Sequence, residues 1–298
     1  MNEMRLRAFQ QARPGRLAGS RFPLISMVTC SFQQVRYLDH AMRSVLEQDY
    51  PRLEYIVIDG GSTDGSDAVI ERYDHALAYW ISERDSGQTD GLVKGFARAT
   101  GEIHGWLCSD DLLLPGALDT VADYFHSNPE VMAAYGDALW IDGEGNFLRA
   151  KKEMAFNRFV FLHDHNYVPQ PSMFWRSSLY ETVGGLDPAF DLAMDADLWE
   201  RFSARTRIAR IPRYLSCMRY YPQQKTRNRR SEGRVEDQAI RARSVHPYAT
   251  RGVPGKLLRM AARCMRVAAK AAGGGYTARV PEEHLDWLNR HASGCAGK

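Results

Sequence analysis

The feature that most constrains this chain is the alternation of strand-like and helix-like segments between Pro23 and Ser127. Short apolar, β-branched runs that end in polar turns predict strands, and apolar residues that recur every three or four positions predict helices. The predicted strands are 24–30, 53–58, 77–82 and 103–108, and the predicted helices are 35–48, 88–100 and 115–127. This β-α-β-α order indicates an α/β fold, a Rossmann-like α/β/α sandwich around a mostly parallel central sheet.

Acidic turns follow two of these strands directly. Asp59 ends the second strand before Gly60-Gly61, and Ser109-Asp110-Asp111 follows the fourth strand. Taken alone, each turn is more often a helix cap or a tight turn than a site. Ligands of parallel α/β folds bind beyond the carboxyl ends of the strands. We therefore expect Asp59 and Asp110-Asp111 to face one crevice.

Adjacent carboxylates at a strand end are suited to a divalent cation. Mg²⁺ and Mn²⁺ prefer carboxylate and phosphate oxygens, and a cation neutralises the charge that builds on a departing diphosphate. A further acidic segment, 193–199, contains Asp195 and Asp197 at the start of a predicted helix. One carboxylate there suffices as a general base, although a helix N-cap explains the segment equally well.

The second half of the chain has a less regular pattern. Strands are predicted at 131–141, 168–175 and 208–219, with helices at 177–183 and 195–204. His163 and His165 flank Asp164 in a polar loop, which favours a surface position over a metal site because the expected ligand spacing is missing. We expect the second half of the chain to bind the acceptor substrate and to supply the remaining catalytic groups.

Charge is distributed unevenly along the chain. Residues 1–21 carry a net charge of +4 and residues 251–298 a net charge of +6, which leaves −7 for residues 22–250. The five cysteines are widely spaced and form no CxxC pair, which argues against a disulfide framework or a zinc site. No apolar run has the length of about 20 residues that spans a bilayer, and no secretory signal is evident. We therefore expect a cytoplasmic protein.

The last part of the chain has its own composition. Residues 227–234 are polar and basic and predict a linker, and helices are predicted at 254–272 and 281–292. Basic residues spaced by three and four positions lie on one face of the first of these helices: Lys256, Arg259, Arg263, Arg266 and Lys270. Two interpretations remain open. The helix either contacts an anionic membrane surface through residues 254–272 or packs on the acidic body.

As a set, five segments resemble glycosyltransferase family 2. They are TCSFQQ at 29–34, IVIDGGSTDGS at 56–66, SDDLLLPGAL at 109–118, VGGLDP at 183–188 and MDADLW at 194–199. No single motif is specific, but the resemblance covers residues 22–226 in the order and spacing of the family. It implies a GT-A fold and an inverting transfer of sugar from a nucleoside-diphosphate-sugar donor to an acceptor hydroxyl.

The resemblance also implies a role for each matching residue. Asp59 is expected to contact the nucleoside base, while Thr29 and Ser31 line the nucleotide pocket. Asp110 is expected near the ribose or the metal, and Asp111 as the principal ligand of Mn²⁺ or Mg²⁺. The general base is expected to be Asp195.

A subgroup of the family is similar to the chain over 83–90, 168–172 and 219–226, which brings in Asp85 and Lys94 near the diphosphate and donor sugar. Arg219 and Lys225 are candidates for diphosphate contact or for a solvated basic edge. The chain departs from the subgroup at three positions. Gly91 and Val93 replace the usual Ala and Asn, and Tyr221 replaces a frequent His, which puts a metal or phosphate role there in doubt.

The sequence thus predicts a basic segment 1–21, a GT-A domain 22–226 and a basic helical C-terminal extension 227–298. The expected partners are a nucleotide-sugar donor and a glycan or lipid-linked acceptor of surface polysaccharide or glycolipid assembly, at the inner face of the cell membrane, with no nucleic acid. The alternative is a degenerate member that only binds a nucleotide or a partner. A sugar nucleotidyltransferase and a NAD-dependent enzyme are disfavoured, because residues 29–34 contain no glycine and no GxGxxG follows the first strand.

Overall fold

The structure, a computed structural model, describes residues 22–244 and 252–292. The predicted basic segment 1–21 lies outside these residues. The strands are β1 (Ile25–Ser31), β2 (Leu53–Asp59), β3 (Tyr79–Ser82), β4 (Ile103–Cys108), β5 (Leu112–Leu113), β6 (Ala133–Ile141), β7 (Phe147–Lys151), β8 (Met173–Arg176) and β9 (Ile208–Arg219). The α-helices are α1 (Val35–Leu46), α2 (Ser66–Arg72), α3 (Gln88–Phe96), α4 (Ala117–Ser127), α5 (Arg158–His163), α6 (Ser177–Val183), α7 (Met194–Ser203), α8 (Lys225–Asn228), α9 (Arg230–Ser244), α10 (Gly252–Ala272) and α11 (Glu282–Ala292).

The nine strands form one sheet in the order β3-β2-β1-β4-β8-β6-β9-β5, with β7 paired to β6. The first four strands are parallel, as the sequence predicts for this part of the chain. The sheet becomes mixed beyond β4, because β8 runs antiparallel to both β4 and β6, and β5 runs antiparallel to β9. The parallel half therefore carries the strand ends where the sequence places a site.

Helices cover both faces of the sheet, which confirms the predicted α/β/α sandwich. Successive side chains of a strand point to opposite faces. Val28 and Cys30 of β1 pack in the core that includes α3, while Ile25 and Met27 pack in the core that includes α1. Helices α5, α6 and α7 share the first face with α3, and helices α2 and α4 share the second with α1.

A group of large aromatic side chains fixes α7 on the sheet. The rings of Trp106 on β4 and Trp199 on α7 stack with centroids 5.6 Å apart and an interplanar angle of 23°. Trp175 on β8 packs against Trp199 at 5.4 Å and against Phe202 at 5.8 Å. Aromatic pairs at such separations stabilise a core beyond their buried area alone. Helix α7 is therefore held rigidly above β4 and β8.

Three sequence predictions differ from the structure. Helix α3 ends at Phe96 instead of Thr100. The segment predicted as a strand over 168–175 instead begins with a 3-10 turn, Gln170–Ser172, which the prolines on either side of Gln170 favour. The predicted linker over 227–234 is wrong, since α8 and α9 are helical there.

The C-terminal helices pack on the body formed by the preceding part of the chain. Arg266 and Lys270 of α10 form ion pairs with Asp164 and Glu153, with N···O distances of 2.5 and 2.8 Å. Leu288 of α11 is buried against the core beneath β5, β6 and β9. Packing on the body is therefore shown for the extension. Within the described residues, no helix combines the length and apolar character that crossing a membrane requires.

The tight join between Gly101 and β1 yields a stability prediction. A Cβ at Gly101 would lie 2.5 Å from Ser26 Oγ and 2.7 Å from the main-chain nitrogen of Ser26. Gly101→Ala is expected to destabilise the fold by about 1–3 kcal/mol, because the overpacked backbone has to shift. Urea unfolding followed by circular dichroism measures this loss.

Gly233→Ala is the matched control for this prediction. Gly233 lies within α9, and a Cβ added there would lie 3.6 Å from Leu192 Cβ, which is an ordinary van der Waals distance. It is expected to stabilise the protein by about 0.5–1 kcal/mol, since alanine restricts the unfolded chain more than glycine does. A Gly101→Ala protein as stable as the wild type contradicts the close packing seen here.

Candidate active site

Sheet register brings the two acidic turns to the same edge. In the parallel pairing, Ser31 of β1 lies opposite Asp59 of β2, and Cys30 of β1 lies opposite Cys108 of β4. Asp59 and the Asp110-Asp111 pair therefore flank the end of β1 on its two sides. This arrangement is the one expected for strand ends that line a common crevice.

The acidic pair is held by the end of β9. The main-chain N–H of Arg219 donates to Asp111 Oδ1 at 2.8 Å, and the Arg219 Nε donates to the Asp110 carbonyl at 2.8 Å. The Tyr221 hydroxyl donates to Asp110 Oδ2 at 2.9 Å. Ligand atoms of Cys108, Asp110 and Asp111 lie within 4.8 Å of one another. The geometry can thus offer several ligand atoms to one cation.

Loss of solvation disfavours the ionised forms of Asp110 and Asp111. Loss of solvation raises the pKa of the Asp110 carboxyl and raises that of Asp111 well above its usual range, with repulsion from Asp110 adding to the effect on Asp111. A divalent cation between them would favour the ionised forms of both. The residues therefore fit a divalent cation chemically, with Asp111 and Asp110 as its carboxylate ligands.

Arg219 is a structural support of the acidic turn. Its side chain is only 1% exposed. Its Nη1 donates to the carbonyls of Asp142 and Gly143, and its guanidinium lies 4.6 Å from the centre of the Tyr37 ring. With these contacts the guanidinium ties β9 to the turn after β6. Its expected contact with a diphosphate stays a prediction.

Tyr221 has a defined partner in spite of its departure from the subgroup pattern. Besides donating to Asp110, its hydroxyl accepts a hydrogen bond from Gln34 Nε2 at 3.3 Å. A phenol does not act as a neutral metal ligand in the way an imidazole does. Here it orients the carboxylate of Asp110 instead.

The carboxylate of Asp59 organises the turn that follows β2. Its oxygens accept hydrogen bonds from the Ser62 N–H at 2.8 Å, the Ser62 hydroxyl at 2.6 Å and the Ser82 hydroxyl at 2.7 Å. The side chain is fully buried. Its predicted contact with a nucleoside base stays a prediction.

The two hydroxyls of β1 occupy different environments. Thr29 is fully buried, and its hydroxyl pairs with that of Tyr55 at 2.9 Å inside the sheet. The hydroxyl of Ser31, which is 5% exposed, has no hydrogen-bond partner among the described residues. Ser31 is thus the residue of this pair that has a polar atom left for a ligand.

Asp85 reaches the crevice beside α3. Its Oδ1 accepts a hydrogen bond from the Gly87 N–H at 2.9 Å. A Cβ added at Gly60 or Gly91 would lie 2.9 or 3.2 Å from Asp85 Oδ2. The glycine at position 91 therefore leaves room for the Asp85 carboxylate, which gives this departure from the family pattern a physical reason.

The two predicted lysines have acidic neighbours. Lys94 is about one-third exposed and pairs with Glu83 at 3.1 Å and Asp90 at 3.4 Å. Lys225 donates to the carbonyl and the carboxylate of Asp191 at 2.9 and 2.6 Å. In this structure each lysine is neutralised by the protein, and its contact with a donor stays a prediction.

The pKa values of two cysteine thiols respond to charged residues near the crevice. Burial raises the pKa of Cys30 to about 12, with Lys225 opposing the shift and Asp85 and Asp110 adding to it. Burial also raises the pKa of Cys108, with Asp111, Asp110 and Asp195 among the charges that add to it. Asp85, Asp110, Asp111, Asp195 and Lys225 therefore lie close enough to the ends of β1 and β4 to affect these thiols.

Asp195 lies in the first turn of α7 and is partly buried. Its Oδ1 accepts a hydrogen bond from the Ala196 N–H at 2.7 Å, and its Oδ2 accepts one from Asn166 Nδ2 at 2.8 Å. Burial raises its pKa to about 6, and repulsion from Asp237 adds to this effect. A carboxylate of this basicity is mostly ionised at neutral pH and still able to accept a proton. Asp197 is fully buried between Arg201 and Arg243, which makes its role structural.

Sequence reasoning missed several residues that border this site. Asn166 holds Asp195, and the Cys108 thiol lies 3.4 Å from both Gln88 Nε2 and Gln170 Oε1. Gln88 and Gln170 fall within the segments that resemble the subgroup, which was an available signal. Asn166 and Cys108 carry no such signal, because their partners are distant in the sequence.

Comparison with known proteins identifies the family of the chain. The model of the family named Glycosyl transferase family 2 matches residues 26–182. An uncharacterized glycosyltransferase of Mycobacterium tuberculosis is 32% identical over 209 residues, which are 66% of this chain and 73% of that protein. A putative teichuronic acid biosynthesis glycosyltransferase of Bacillus subtilis, TuaG, is 34% identical over 92 residues, 30% of this chain and 36% of that protein.

Solved structures share the fold at low sequence identity. Residues 1–349 of TarS from S. aureus, in complex with UDP, superpose with a TM-score of 0.58 and 15% identity, covering 91% of this chain and 80% of that one. The mannosyltransferase PcManGT from Pyrobaculum calidifontis, in complex with GDP-Man and Mn²⁺, gives a TM-score of 0.58 and 19% identity, covering 99% and 88%.

These similarities show that the chain has the GT-A fold. The chain belongs to glycosyltransferase family 2. The fold and the family inferred from the sequence are both confirmed.

The hydrogen bond from Asn166 yields a prediction about Asp195. Asn166→Leu removes a donor that favours the ionised carboxylate, so the pKa of Asp195 is expected to rise above its value of about 6. A lost hydrogen bond to a charged group corresponds to about one pKa unit or more. Carboxyl ¹³C NMR titration measures the shift, with the resonance assigned by its loss in Asp195→Asn.

Asn128→Leu, at the end of α4, is the control for this titration, because Asn128 bonds only locally to the Tyr124 carbonyl. It should leave the pKa of Asp195 unchanged. The assigned contact is contradicted if Asn166→Leu leaves that pKa unchanged as well.

Proposed function

We propose that this protein is an inverting, metal-assisted glycosyltransferase that moves a sugar from a nucleoside-diphosphate-sugar donor to an acceptor hydroxyl. The observation that carries the proposal is the convergence of Asp110, Asp111 and Asp195 around the ends of β1 and β4. Donor binding is assigned to Thr29, Ser31, Asp59, Asp85, Asp110, Lys94, Arg219 and Lys225. Solved relatives of the same fold bind UDP, UDP-GlcNAc and GDP-Man, which supports a nucleotide-sugar donor.

The donor half of the site is assigned to the acidic pair. Asp111 and Asp110 would hold Mn²⁺ or Mg²⁺, which would neutralise the diphosphate as the sugar departs. The support is a pair of adjacent carboxylates, Asp111 buried and Asp110 partly buried, whose pKa values are raised by loss of solvation. The mannosyltransferase of similar fold was solved with Mn²⁺, which agrees with this assignment. Ser31 offers its unpaired hydroxyl to the nucleotide.

The acceptor half is assigned to Asp195. As a general base it would accept the proton of the acceptor hydroxyl while the oxygen attacks the anomeric carbon and the nucleoside diphosphate leaves from the opposite side. One displacement of this kind inverts the configuration. Asn166 and the Ala196 N–H fix both carboxylate oxygens, so the base is oriented before the acceptor arrives.

We place the reaction in surface polysaccharide or glycolipid assembly, with a glycan or lipid-linked acceptor, at the inner face of the cell membrane. The support is the similarity to TuaG of Bacillus subtilis, whose name refers to teichuronic acid biosynthesis. A degenerate member that only binds a nucleotide is the less favoured alternative. Two of its three supporting departures have lost force, because Gly91 makes room for Asp85 and Tyr221 orients Asp110.

Asp195→Asn tests the assigned base. The amide cannot accept the proton, so sugar transfer is expected to fall about 10²–10⁴-fold, while donor binding is retained. In the wild type the rate should fall as the pH drops below about 6, because Asp195 becomes protonated there. Donor turnover with and without Mn²⁺, measured against pH, provides the readout.

Asp187→Asn is the matched control for this variant, because Asp187 lies in a loop before α7 and bonds locally to the Ala189 N–H. It should turn over like the wild type. Equal turnover by Asp195→Asn and the wild type refutes the assigned base.

Asp111→Asn tests the metal site through two effects of opposite sign. Removing a buried charge whose pKa is raised should stabilise the metal-free protein near neutral pH. A gain of roughly 1 kcal/mol corresponds to a rise of about 2 °C in Tm at this chain size. The same change should abolish the stabilisation that Mn²⁺ with a nucleotide gives the wild type.

A thermal-shift screen of UDP, GDP, dTDP and CDP, each with Mn²⁺, measures both effects and identifies the donor nucleotide. The wild-type protein should respond to one nucleotide more strongly than to the others. A variant that keeps the full Mn²⁺-dependent shift contradicts the role of Asp111.

A further inference from the structure

Helix α10 leaves one long face uncovered. Leu257, Met260 and Val267 are 56%, 59% and 42% exposed, and Cys264 between them is exposed as well. Residues three and four positions apart lie on one side of an α-helix. These four side chains therefore form a continuous apolar strip, which we name the outer stripe. An uncovered apolar strip on a surface helix indicates contact with a second hydrophobic phase.

The opposite face of α10 fixes the orientation of the helix. Ala262 is fully buried against the body. Arg266 pairs with Asp164 and Lys270 pairs with Glu153. Two basic residues of the helix are thus used to hold it on the body. The outer stripe consequently faces away from the catalytic domain.

The remaining basic residues lie along one edge of the outer stripe. Lys256, Arg259 and Arg263 are exposed and are spaced by three and four positions. Residues 251–280 contain no Asp or Glu. The exposed side of α10 therefore combines an apolar strip with an edge of positive charge.

We propose that the outer stripe and its basic edge dock the protein on an anionic lipid bilayer, with α10 lying in the plane of the interface. Helices that bind in this way place apolar side chains between the lipids and basic side chains at the head groups. A lipid surface fits better than a protein partner, because residues 251–280 carry positive charge alone, which suits a uniformly anionic layer of head groups. The basic edge complements anionic head groups directly.

The anchor of α10 connects this surface to the acceptor side of the crevice. Asp164, the partner of Arg266, lies two residues before Asn166, which donates to Asp195. Docking through α10 would hold the loop that positions Asp195 next to the bilayer. This step rests on the proposed function, since it takes Asp195 to face the acceptor. The inferred acceptor class is therefore a lipid-linked one.

Vesicle co-sedimentation tests the docking surface. The wild-type protein should sediment with phosphatidylglycerol-containing vesicles and remain in solution with pure phosphatidylcholine vesicles. The combined variant Leu257→Ser, Met260→Ser and Val267→Ser should bind about tenfold more weakly or worse, because its apolar contact is lost. The variant Lys256→Gln, Arg259→Gln and Arg263→Gln should lose the preference for anionic lipid.

The matched control is Val235→Ser, an apolar residue that is 66% exposed and lies on a different helix, α9. This variant should sediment like the wild type. Circular dichroism and Tm confirm that every variant is folded.

Cys264 offers a second measurement at the centre of the outer stripe. An environment-sensitive fluorophore on Cys264, with Cys295→Ser to limit labelling, should shift to the blue and gain intensity when anionic vesicles are added. Cys30 and Cys217 are buried and Cys108 is partly buried, so they compete little for the label. The same fluorophore on Val235→Cys, in a Cys264→Ser and Cys295→Ser background, should not respond.

The proposal is overturned if the wild-type protein ignores anionic vesicles or if the serine variant binds them equally well. It is also overturned if light scattering shows that the outer stripe joins two copies of the chain and vesicle binding is absent. Donor turnover in solution separates this failure from failure of the proposed function. Full turnover without vesicle binding rejects only the docking surface, and vesicle binding without any turnover rejects only the enzymatic proposal.

Discussion

The constraint on which this structure depends is the withdrawal of two adjacent carboxylates from water at the end of a parallel strand, with Asp111 buried and Asp110 partly buried. Buried charges are costly unless hydrogen bonds or a counter-charge compensate them. The chain supplies the hydrogen bonds from the end of β9, where Arg219 donates to Asp111 across 108 residues of sequence. This contact exists because β9 runs beside β6 and closes against the short strand β5. The mixed half of the sheet therefore completes a site that the parallel half begins.

The orientation of Asp195 depends on a second set of distant contacts. Stacking of Trp199 on Trp106 fixes α7 above β4, and Asn166 then holds the carboxylate from the loop after α5. Helix α9 adds Asp237, which repels Asp195, and Glu236, whose carboxylate accepts main-chain N–H groups just before α7. The C-terminal extension is thus part of the environment of the predicted base. Its packing also explains why a segment with little apolar periodicity is helical instead of a linker.

The parallel half of the fold was predictable because its signals are local. Apolar runs located β1, β2 and β4 within one or two residues, and the acidic turns after β2 and β4 located the crevice. The common position of the two turns was predictable as well, since ligands of parallel α/β folds bind beyond the carboxyl ends of the strands. The family resemblance added the role of each carboxylate, which no single turn could have supplied.

The remaining features could not be read from the sequence because their causes are tertiary. Thr29 and Ser31 look equivalent in the motif, yet the Thr29 hydroxyl pairs with Tyr55 while the Ser31 hydroxyl has no partner among the described residues. The sequence leaves Arg219 open as a diphosphate contact or a solvated basic edge, and in the structure its guanidinium bonds to main-chain carbonyls. In each case the hydrogen-bond partner lies on another strand or turn. The local sequence pattern would be the same whether or not that hydrogen bond formed.

The charge asymmetry of the chain has a physical explanation in the packing of α10. From the sequence alone the two interpretations of its basic residues are alternatives, because all five residues lie on one helical face. In the structure the basic residues of α10 fall into two groups. Arg266 and Lys270 pair with acids of the body. Lys256, Arg259 and Arg263 stay exposed. Because these two ion pairs hold one face of α10 against the body, they determine which apolar side chains of the helix stay exposed. Attraction between an acidic body and a basic extension therefore does more than hold the helix, because it determines the surface that the helix presents to its surroundings.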